Sequence, residues 1–213
     1  MGKSMLEMMP ESHFARVAQS WIRERPDLEL RNFLLAMAMM RMGRMIDHAY
    51  DKMCQERFGI GGSEMRVLMA LRRSGKPFAL RPTDLFTALL ISSGAITKQV
   101  DRLVKKQLVA RLEDPTHGGG FLVQLTRDGL KVVNKAADIL AGESLLNPIM
   151  AKLSARERDA GEEFCHFVLA GLEAKHVMEP TEGVEASRAA VAGGAAPVGS
   201  KRGRPRRRDT VPA

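Results

Sequence analysis

The chain has 213 residues, 45% of them hydrophobic, and its 33 Lys and Arg residues outnumber 25 Asp and Glu residues to give a net charge of +8. This hydrophobic fraction supports a folded core and excludes a wholly disordered chain. Two cysteines exclude a disulfide framework, and no run approaches the roughly 18 to 20 apolar residues of a membrane span. The first twelve residues lack the apolar core of a signal peptide. We therefore expect a cytoplasmic protein, and an aromatic content of only 5% beside 14 Met residues favours a helical interior.

The first part of the sequence carries two helical patterns. An amphipathic stretch over 13–24 comes first, and Asp27 is the predicted N-cap of a long helix over 28–58. A helix of about 30 residues is about 45 Å long. Since one small core cannot cover that length, we expect the long helix to pack against a partner subunit.

The middle of the sequence follows the order helix, turn, helix, β-hairpin. Ser63 and Thr83 are the predicted N-caps of two short helices, and a third helix is predicted from about 93 to 107. Short apolar runs at 109–112 and 121–125 predict the two strands of a hairpin with a glycine-rich tip. This order predicts a mainly α fold with a small β-hairpin wing, a winged helix-turn-helix attached to a helical dimerisation domain.

Two more helices are predicted after the hairpin, from Thr126 as N-cap to about Ile139 and from Ser154 to about His176. The residues that follow are rich in Ala and Gly and lack large apolar anchors, which predicts a disordered basic tail. The predicted organisation is an N-terminal helical extension at 1–27, a helical dimerisation region at 28–60 and 127–178, a winged helix-turn-helix domain at 61–126, and the tail at 179–213.

Positive charge is concentrated in two places. Between 64 and 113, ten basic residues face four acidic ones, and in the tail seven basic residues face four acidic ones. Two separate basic segments favour a polyanion as the partner, most simply double-stranded DNA.

The helix predicted at 93–107 has the composition of a DNA-contacting element. Ile96, Val100 and Leu103 form its apolar face, and small and basic residues lie roughly opposite. Small residues permit close approach to bases, and long cationic side chains reach base edges or phosphates. From the helix alone, an ordinary solvated face remains an equal alternative. The candidate DNA-binding residues of this segment and the hairpin are Ser93, Gly94, Ala95, Thr97, Lys98, Arg102, Lys105, Arg111 and His117.

The residues at 93–111, Asp114-Pro115, and Leu125-Thr126 with Gly129 resemble the MarR family of bacterial transcription regulators. The resemblance covers about 28–176 and implies a homodimer with intertwined terminal helices, a recognition helix in each of two major grooves, and wings against the minor groove. It also implies, in many members, a small-molecule site. We therefore expect an effector-responsive dimeric repressor on a pseudo-palindromic operator, associated with the nucleoid. The alternative is an architectural A·T-rich DNA-binding protein without an effector.

The wing departs from the family pattern. Family wings usually read Asp-Pro-x-Asp-Arg-Arg, whereas this chain continues from Asp114-Pro115 with Thr116, His117 and three glycines. The usual minor-groove arginine is therefore missing, and an exposed His117 without a role remains an alternative to a phosphate contact.

The tail contains Lys-Arg-Gly-Arg-Pro-Arg-Arg-Arg at 201–208, which resembles an AT-hook. In that motif Arg202, Gly203, Arg204 and Pro205 would lie extended in an A·T-rich minor groove. A basic tail that binds DNA through charge alone is the alternative.

A small aromatic or anionic effector is suggested by a further resemblance, to the urate-responsive branch of the family. Trp21 matches that branch, but Arg66 and Gln99 replace two of its polar partners. The candidate walls of an effector site are Trp21, Met37, Met40 and Arg66, and packing of a dimer interface is the alternative.

The sequence does not support a redox-active thiol, a metal site or a catalytic site. Buried, inert thiols are expected for Cys54 and Cys165, and neither metal-ligand spacing nor a catalytic motif is present. We therefore expect a protein without cofactor or metal that is not an enzyme.

Overall fold

The computed structural model describes residues 12–116 and 119–174. Helices alternate there with three short strands of one antiparallel sheet. In chain order the elements are α1 (His13–Glu24), α2 (Arg31–Phe58), α3 (Gly62–Arg73), β1 (Ala79–Leu80), α4 (Pro82–Leu89), α5 (Ser93–Lys105), β2 (Val109–Glu113), β3 (Phe121–Leu125), α6 (Arg127–Gly142), α7 (Asn147–Met150) and α8 (Ala155–Glu173).

The main core lies where α3, α4, α5 and α6 meet the sheet. It contains the predicted apolar face of α5, which is at most 1% exposed. Burial of each side chain on this face stabilises the folded state by roughly 1.5 to 3 kcal/mol. The predicted winged helix-turn-helix is confirmed. The buried residues of the main core include Met65, Leu68, Leu71, Leu85, Ile96, Val100, Leu103, Val123, Val133 and Ala136.

The sheet has the order β1-β3-β2. The predicted hairpin is present, with Val109 paired to Leu125 at one end and Glu113 paired to Phe121 at the other. The strand β1 was not predicted, because two residues are too short to show an alternating pattern. Its extended conformation comes from pairing with β3, where Leu80 lies opposite Val123.

Three predicted helix caps are wrong. Asp27 does not cap α2, which begins at Arg31 with Leu30 as its N-cap, and the Asp27 carboxylate instead accepts hydrogen bonds from the Arg25 guanidinium at 2.8 and 2.6 Å. Instead of Ser63, the N-cap of α3 is Gly61, and instead of Thr83, the N-cap of α4 is Arg81. In both helices a carboxylate three residues later accepts from the backbone N–H of the capping residue. The two carboxylates belong to Glu64, at 2.5 Å, and Asp84, at 3.1 Å.

The long helices leave much apolar surface uncovered within one chain. Ala18 of α1 packs with Leu30 and Leu34 at the start of α2 in a small separate cluster. By contrast, α8 buries none of its residues, and Phe167 is 82% exposed. The dimerisation region proposed for these helices stays a prediction. Among the helices described, none is long and apolar enough to cross a bilayer.

Candidate nucleic-acid interface

The recognition helix α5 presents its first turns to solvent. Its N-cap is Ser92, whose Oγ accepts from the backbone N–H of Ala95 at 3.3 Å. Ala95 is half-buried, while Ser93, Gly94, Thr97, Lys98 and Lys105 are exposed. The Thr97 hydroxyl donates to the Ser93 carbonyl oxygen at 3.0 Å, which holds that side chain against its own helix. The face of α5 that the sequence predicts to contact DNA is therefore accessible to solvent from the first residue of the helix.

Gly94 is not required by the fold. A Cβ built at this position would meet no atom within 4 Å. At Gly129, in contrast, a Cβ would lie 2.0 Å from the Leu108 carbonyl oxygen. Gly94 therefore leaves the outer surface of α5 low at a position where the fold would accept a side chain.

Lys98 lies one turn after Gly94 on the same face. Its side chain is exposed and makes no ion pair among residues 12–116 and 119–174. Lys105, two turns further along, is likewise exposed and makes no ion pair in that part of the chain. Both cations remain available to an external anion.

Arg102 has a partner within the fold. Its Nε donates to Glu64 Oε1 at 2.5 Å, and its side chain is half-exposed. The Glu64 side chain is nearly buried, and its other oxygen accepts from the Gly61 N–H. Arg102 therefore fixes α5 against the start of α3, a contact that a helical wheel cannot show because Glu64 lies 38 residues away.

Arg111 is also engaged. Its Nη2 donates to Asp101 of α5, and its guanidinium carbon lies 4.9 Å from the centroid of the Phe121 ring. Its Nε is buried without a hydrogen-bond partner among the described residues. Arg111 thus joins the wing to the recognition helix, which places its charge beside α5 rather than at the wing tip.

Sequence reasoning missed the role of Arg81. Its Nε donates to Asp114 Oδ2 at 2.7 Å, and its Nη2 donates to Thr116 Oγ1 at 2.6 Å. The Asp114 side chain is 1% exposed, and hydrogen bonds from Arg81 and Thr116 lower its pKa to about 2. This pair fastens the root of the wing to the start of α4. No periodic pattern in the sequence relates two residues 33 positions apart.

The remaining candidate DNA contacts cannot be placed. His117, at the wing tip, and the tail residues Arg202, Gly203, Arg204 and Pro205 lie outside the described residues. Their roles stay predictions from sequence.

The candidate effector residues do not share one cavity. Met37 and Met40 line a cleft of about 460 Å³ between α1 and α2, together with Arg41, Arg44 and His48. Trp21 borders a separate cleft of about 300 Å³, and its ring packs edge-on against Phe33 with the centroids 5.2 Å apart.

Arg66 contributes to neither cleft. Its Nη2 donates to Asp47 Oδ1 at 2.5 Å, and its guanidinium carbon lies 5.1 Å from the centroid of the Tyr50 ring. The two methionines therefore share a cleft, whereas Trp21 and Arg66 each have different neighbours.

The two thiols differ from each other. Cys54 is buried as predicted, and burial raises its pKa. Cys165 is exposed, so its predicted burial is wrong for a single chain. The reason is that α8, which carries Cys165, has no buried residue.

Comparison with known proteins agrees with this geometry. The sequence profile described as MarR family matches residues 58–118. The HTH-type transcriptional regulator PecS of Dickeya dadantii (strain 3937) is 30% identical over 122 residues, which cover 57% of this chain and 73% of PecS. The multiple antibiotic resistance protein MarR of Escherichia coli (strain K12) is 29% identical over 120 residues, 55% of this chain and 81% of that protein.

Solved structures give the same result. The reduced form of MarR from E. coli superimposes with a TM-score of 0.56 at 27% identity, covering 63% of this chain and 96% of that one. A mutant of MarR from E. coli, complexed with operator DNA, has a TM-score of 0.52 at 27% identity, covering 64% of this chain and 97% of that one.

Proposed function

The chain belongs to the MarR family, and on that premise we propose that it is a DNA-binding transcription regulator that binds its operator as a homodimer. The observation that carries the proposal is the outer face of α5. There, a glycine that the fold does not need stands one turn before an exposed lysine without an ion pair among the residues described. A family of regulators gives no reason to assign a catalytic step.

Major-groove binding explains this combination. The groove of B-DNA is about 12 Å wide and admits an α-helix. At Gly94 the helix backbone can approach the base edges, with Ser93, Ala95 and Thr97 beside it. Lys98 can then donate to guanine O6 and N7 or to a phosphate, and Lys105 to a phosphate further along. The positive end of the helix dipole adds attraction for the DNA backbone.

In this proposal, the main role of Arg102 and Arg111 is to position α5. Because Glu64 and Asp101 engage them, they set the position of α5 relative to α3 and the wing. Each guanidinium keeps some solvent exposure and can add a phosphate contact. We therefore assign them positioning roles first and DNA contacts second.

A dimer implies a pseudo-palindromic operator. Two copies of α5 related by two-fold symmetry would enter successive major grooves, with half-sites about one helical turn apart. A repressor acts by occupying such a site, and the MarR–operator complex supports this type of binding. Because its ligand is chromosomal DNA, we place the protein on the nucleoid in the bacterial cytoplasm.

The effector remains part of the proposal. The cleft between α1 and α2 combines Met37 and Met40 with the cationic Arg41 and Arg44, which suits a small aromatic anion better than a neutral molecule. Release of bound operator by an aromatic carboxylate or a purine tests this assignment, and release by neither class would contradict it.

The central test uses the full chain and an operator selected from random DNA. Lys98→Ala and Gly94→Leu should each reduce discrimination between that operator and random duplex by roughly 5- to 150-fold, the range for loss of a good base contact. Lys135→Ala removes an exposed lysine from α6 and serves as the charge-matched control. Electrophoretic mobility shift at fixed salt measures all four proteins.

The outcomes separate the alternatives. Unchanged discrimination in Lys98→Ala and Gly94→Leu would remove α5 as the specificity element. Equal affinity of the unaltered protein for operator and random duplex would contradict an operator-specific regulator, and it would favour the architectural alternative.

A further inference from the structure

We infer that Leu90 is a specificity residue, whose side chain packs against the 5-methyl group of a thymine at the edge of each operator half-site. The inference rests on the proposed function, because α5 must enter the major groove for a residue beside its N-terminus to meet a base. It extends the DNA-binding surface from the recognition helix to the turn before it, and it gives that turn an apolar contact rather than a charged one.

Leu90 is the exposed member of an apolar triplet between α4 and α5. Its neighbours, Leu89 and Ile91, are partly buried and pack against the main core, whereas the Leu90 side chain is 73% exposed. Within 61–116 and 119–126, no other large apolar side chain is exposed. The remaining exposed apolar side chains of the described chain lie at 21–46 and 145–172, in the N-terminal extension and the helices assigned to the dimer. A dimer therefore accounts for those side chains but not for Leu90.

The backbone at Leu90 is also one that the fold alone would not give to a leucine. Its φ of 54° and ψ of 41° lie in the left-handed region, at the residue that ends α4. Glycine, or sometimes asparagine, usually occupies such a position, because a Cβ there crowds the following carbonyl oxygen. Leu90 therefore carries backbone strain without gaining burial, a combination that is typical of functional positions.

The turn is continuous with the surface that α5 presents to DNA. Two residues after Leu90, Ser92 caps the helix, and Ser92, Ser93 and Gly94 are all exposed. From 85 to 100 the sequence contains no acidic residue, so this edge does not repel the DNA backbone. A recognition helix contacts base edges with its N-terminal residues, which brings the preceding turn close to the same groove.

The chemistry of the major groove selects the partner of Leu90. The base edges there carry hydrogen-bond donors and acceptors, and their apolar feature is the thymine 5-methyl group. A leucine side chain can neither donate nor accept, so it gains free energy by covering that methyl group. Deoxyribose is the other apolar surface of DNA, but it is the same at every base pair and carries no sequence information.

The test removes the methyl group from the DNA and the side chain from the protein. The operator selected from random DNA is prepared with uracil, which lacks only the 5-methyl group, in place of each thymine in turn. The full-length protein is compared with Leu90→Gly and Leu90→Asn, which suit the left-handed backbone, and with Leu90→Met, which keeps an apolar side chain. Lys98→Ala is the control that removes a different contact. Electrophoretic mobility shift at fixed salt measures affinity, and thermal unfolding measures stability.

We expect uracil at one thymine position to weaken binding by the unaltered protein about 4-fold for each half-site, the loss that corresponds to one buried methyl group. Leu90→Met and Lys98→Ala should keep this penalty, whereas Leu90→Gly and Leu90→Asn should lose it and should bind the thymine operator more weakly. Because the last two variants relieve the left-handed strain, their unfolding temperature should equal or exceed that of the unaltered protein. Weaker operator binding by a protein that is no less stable excludes a merely structural role for Leu90.

Two results would overturn the inference. If no uracil substitution weakens binding by the unaltered protein, no thymine methyl group is part of the contact. If Leu90→Gly binds more weakly but every uracil penalty persists in it, the side chain lies against deoxyribose and adds no specificity. The proposed function fails in a different measurement, which is equal affinity of the unaltered protein for operator and random duplex.

Discussion

Among single residues, Asp114 combines deep burial with a close charge partner. Its carboxylate accepts from Arg81 and from both the backbone N–H and the hydroxyl of Thr116. Because these donors stabilise the charged form, its pKa falls to about 2 from an ordinary value near 3.8. The carboxylate therefore stabilises the folded state above its ordinary pKa, and this contribution is lost as the pH falls toward 2.

Asp114→Asn should lower the free energy of unfolding by about 2 kcal/mol at pH 7. The difference between the variant and the unaltered protein should shrink between about pH 4 and pH 2. Chemical denaturation at fixed protein concentration over this range measures both effects. Asp27→Asn is the control, since the Arg25–Asp27 ion pair has a similar N–O distance but is exposed. An equally large loss of stability in Asp27→Asn would contradict the role assigned to burial. So would a loss of stability in Asp114→Asn that does not change with pH.

Residues in helical register were predictable, and residues paired across the fold were not. Ile96, Val100 and Leu103 followed from spacing because a helix repeats every 3.6 residues. The pairs Arg81–Asp114 and Arg102–Glu64 join positions 33 and 38 residues apart, where no local signal exists. The caps predicted at Ser63 and Thr83 are wrong because each helix begins two residues earlier, where the Glu64 or Asp84 carboxylate accepts from the backbone N–H of Gly61 or Arg81.

Among the helices, α6 begins where three segments meet. Thr126 caps it as predicted, and its hydroxyl accepts from the Gly129 N–H at 3.0 Å and donates to the Gln107 carbonyl oxygen at 2.8 Å. Gly129 lies directly against the chain segment that leaves α5, where the Leu108 carbonyl occupies the space of a side chain. The glycine therefore sets how closely α6 packs behind the recognition helix.

Gly129→Ala should lower the free energy of unfolding by about 3 kcal/mol, because its methyl group forces the Leu108 backbone aside. Gly94→Ala, on α5, is the matched control. Its new methyl group meets nothing within 4 Å, and an exposed helical glycine gains up to about 1 kcal/mol on replacement by alanine. Thermal unfolding measures both. Equal stability of the two variants would show that α6 can move away from Leu108 at little cost.

At the scale of the whole molecule, packing within one chain does not account for α8, because none of its residues is buried. A helix of 19 residues without one buried side chain has little to hold it in place, since packing supplies most helical stability. Phe164, Leu169 and Leu172 are exposed beside Phe167, and Phe33 and Leu35 are exposed at the start of α2. Exposed apolar side chains in this number are typical of an interface, and we propose that a second copy of the chain covers those of α8.

Phe167→Glu should therefore weaken the dimer by at least about 10-fold, because burying an unpaired carboxylate in an apolar interface costs more than about 1.4 kcal/mol. Leu90→Glu is the matched control, since Leu90 is 73% exposed, compared with 82% for Phe167, but lies in the turn before α5. Sedimentation over a range of protein concentrations measures the dimer, and circular dichroism checks that both variants fold. Operator binding by Phe167→Glu should become steeply dependent on protein concentration, because two recognition helices must then assemble on the DNA. A dimer unchanged by Phe167→Glu, or weakened equally by Leu90→Glu, would contradict the place of α8 in the interface.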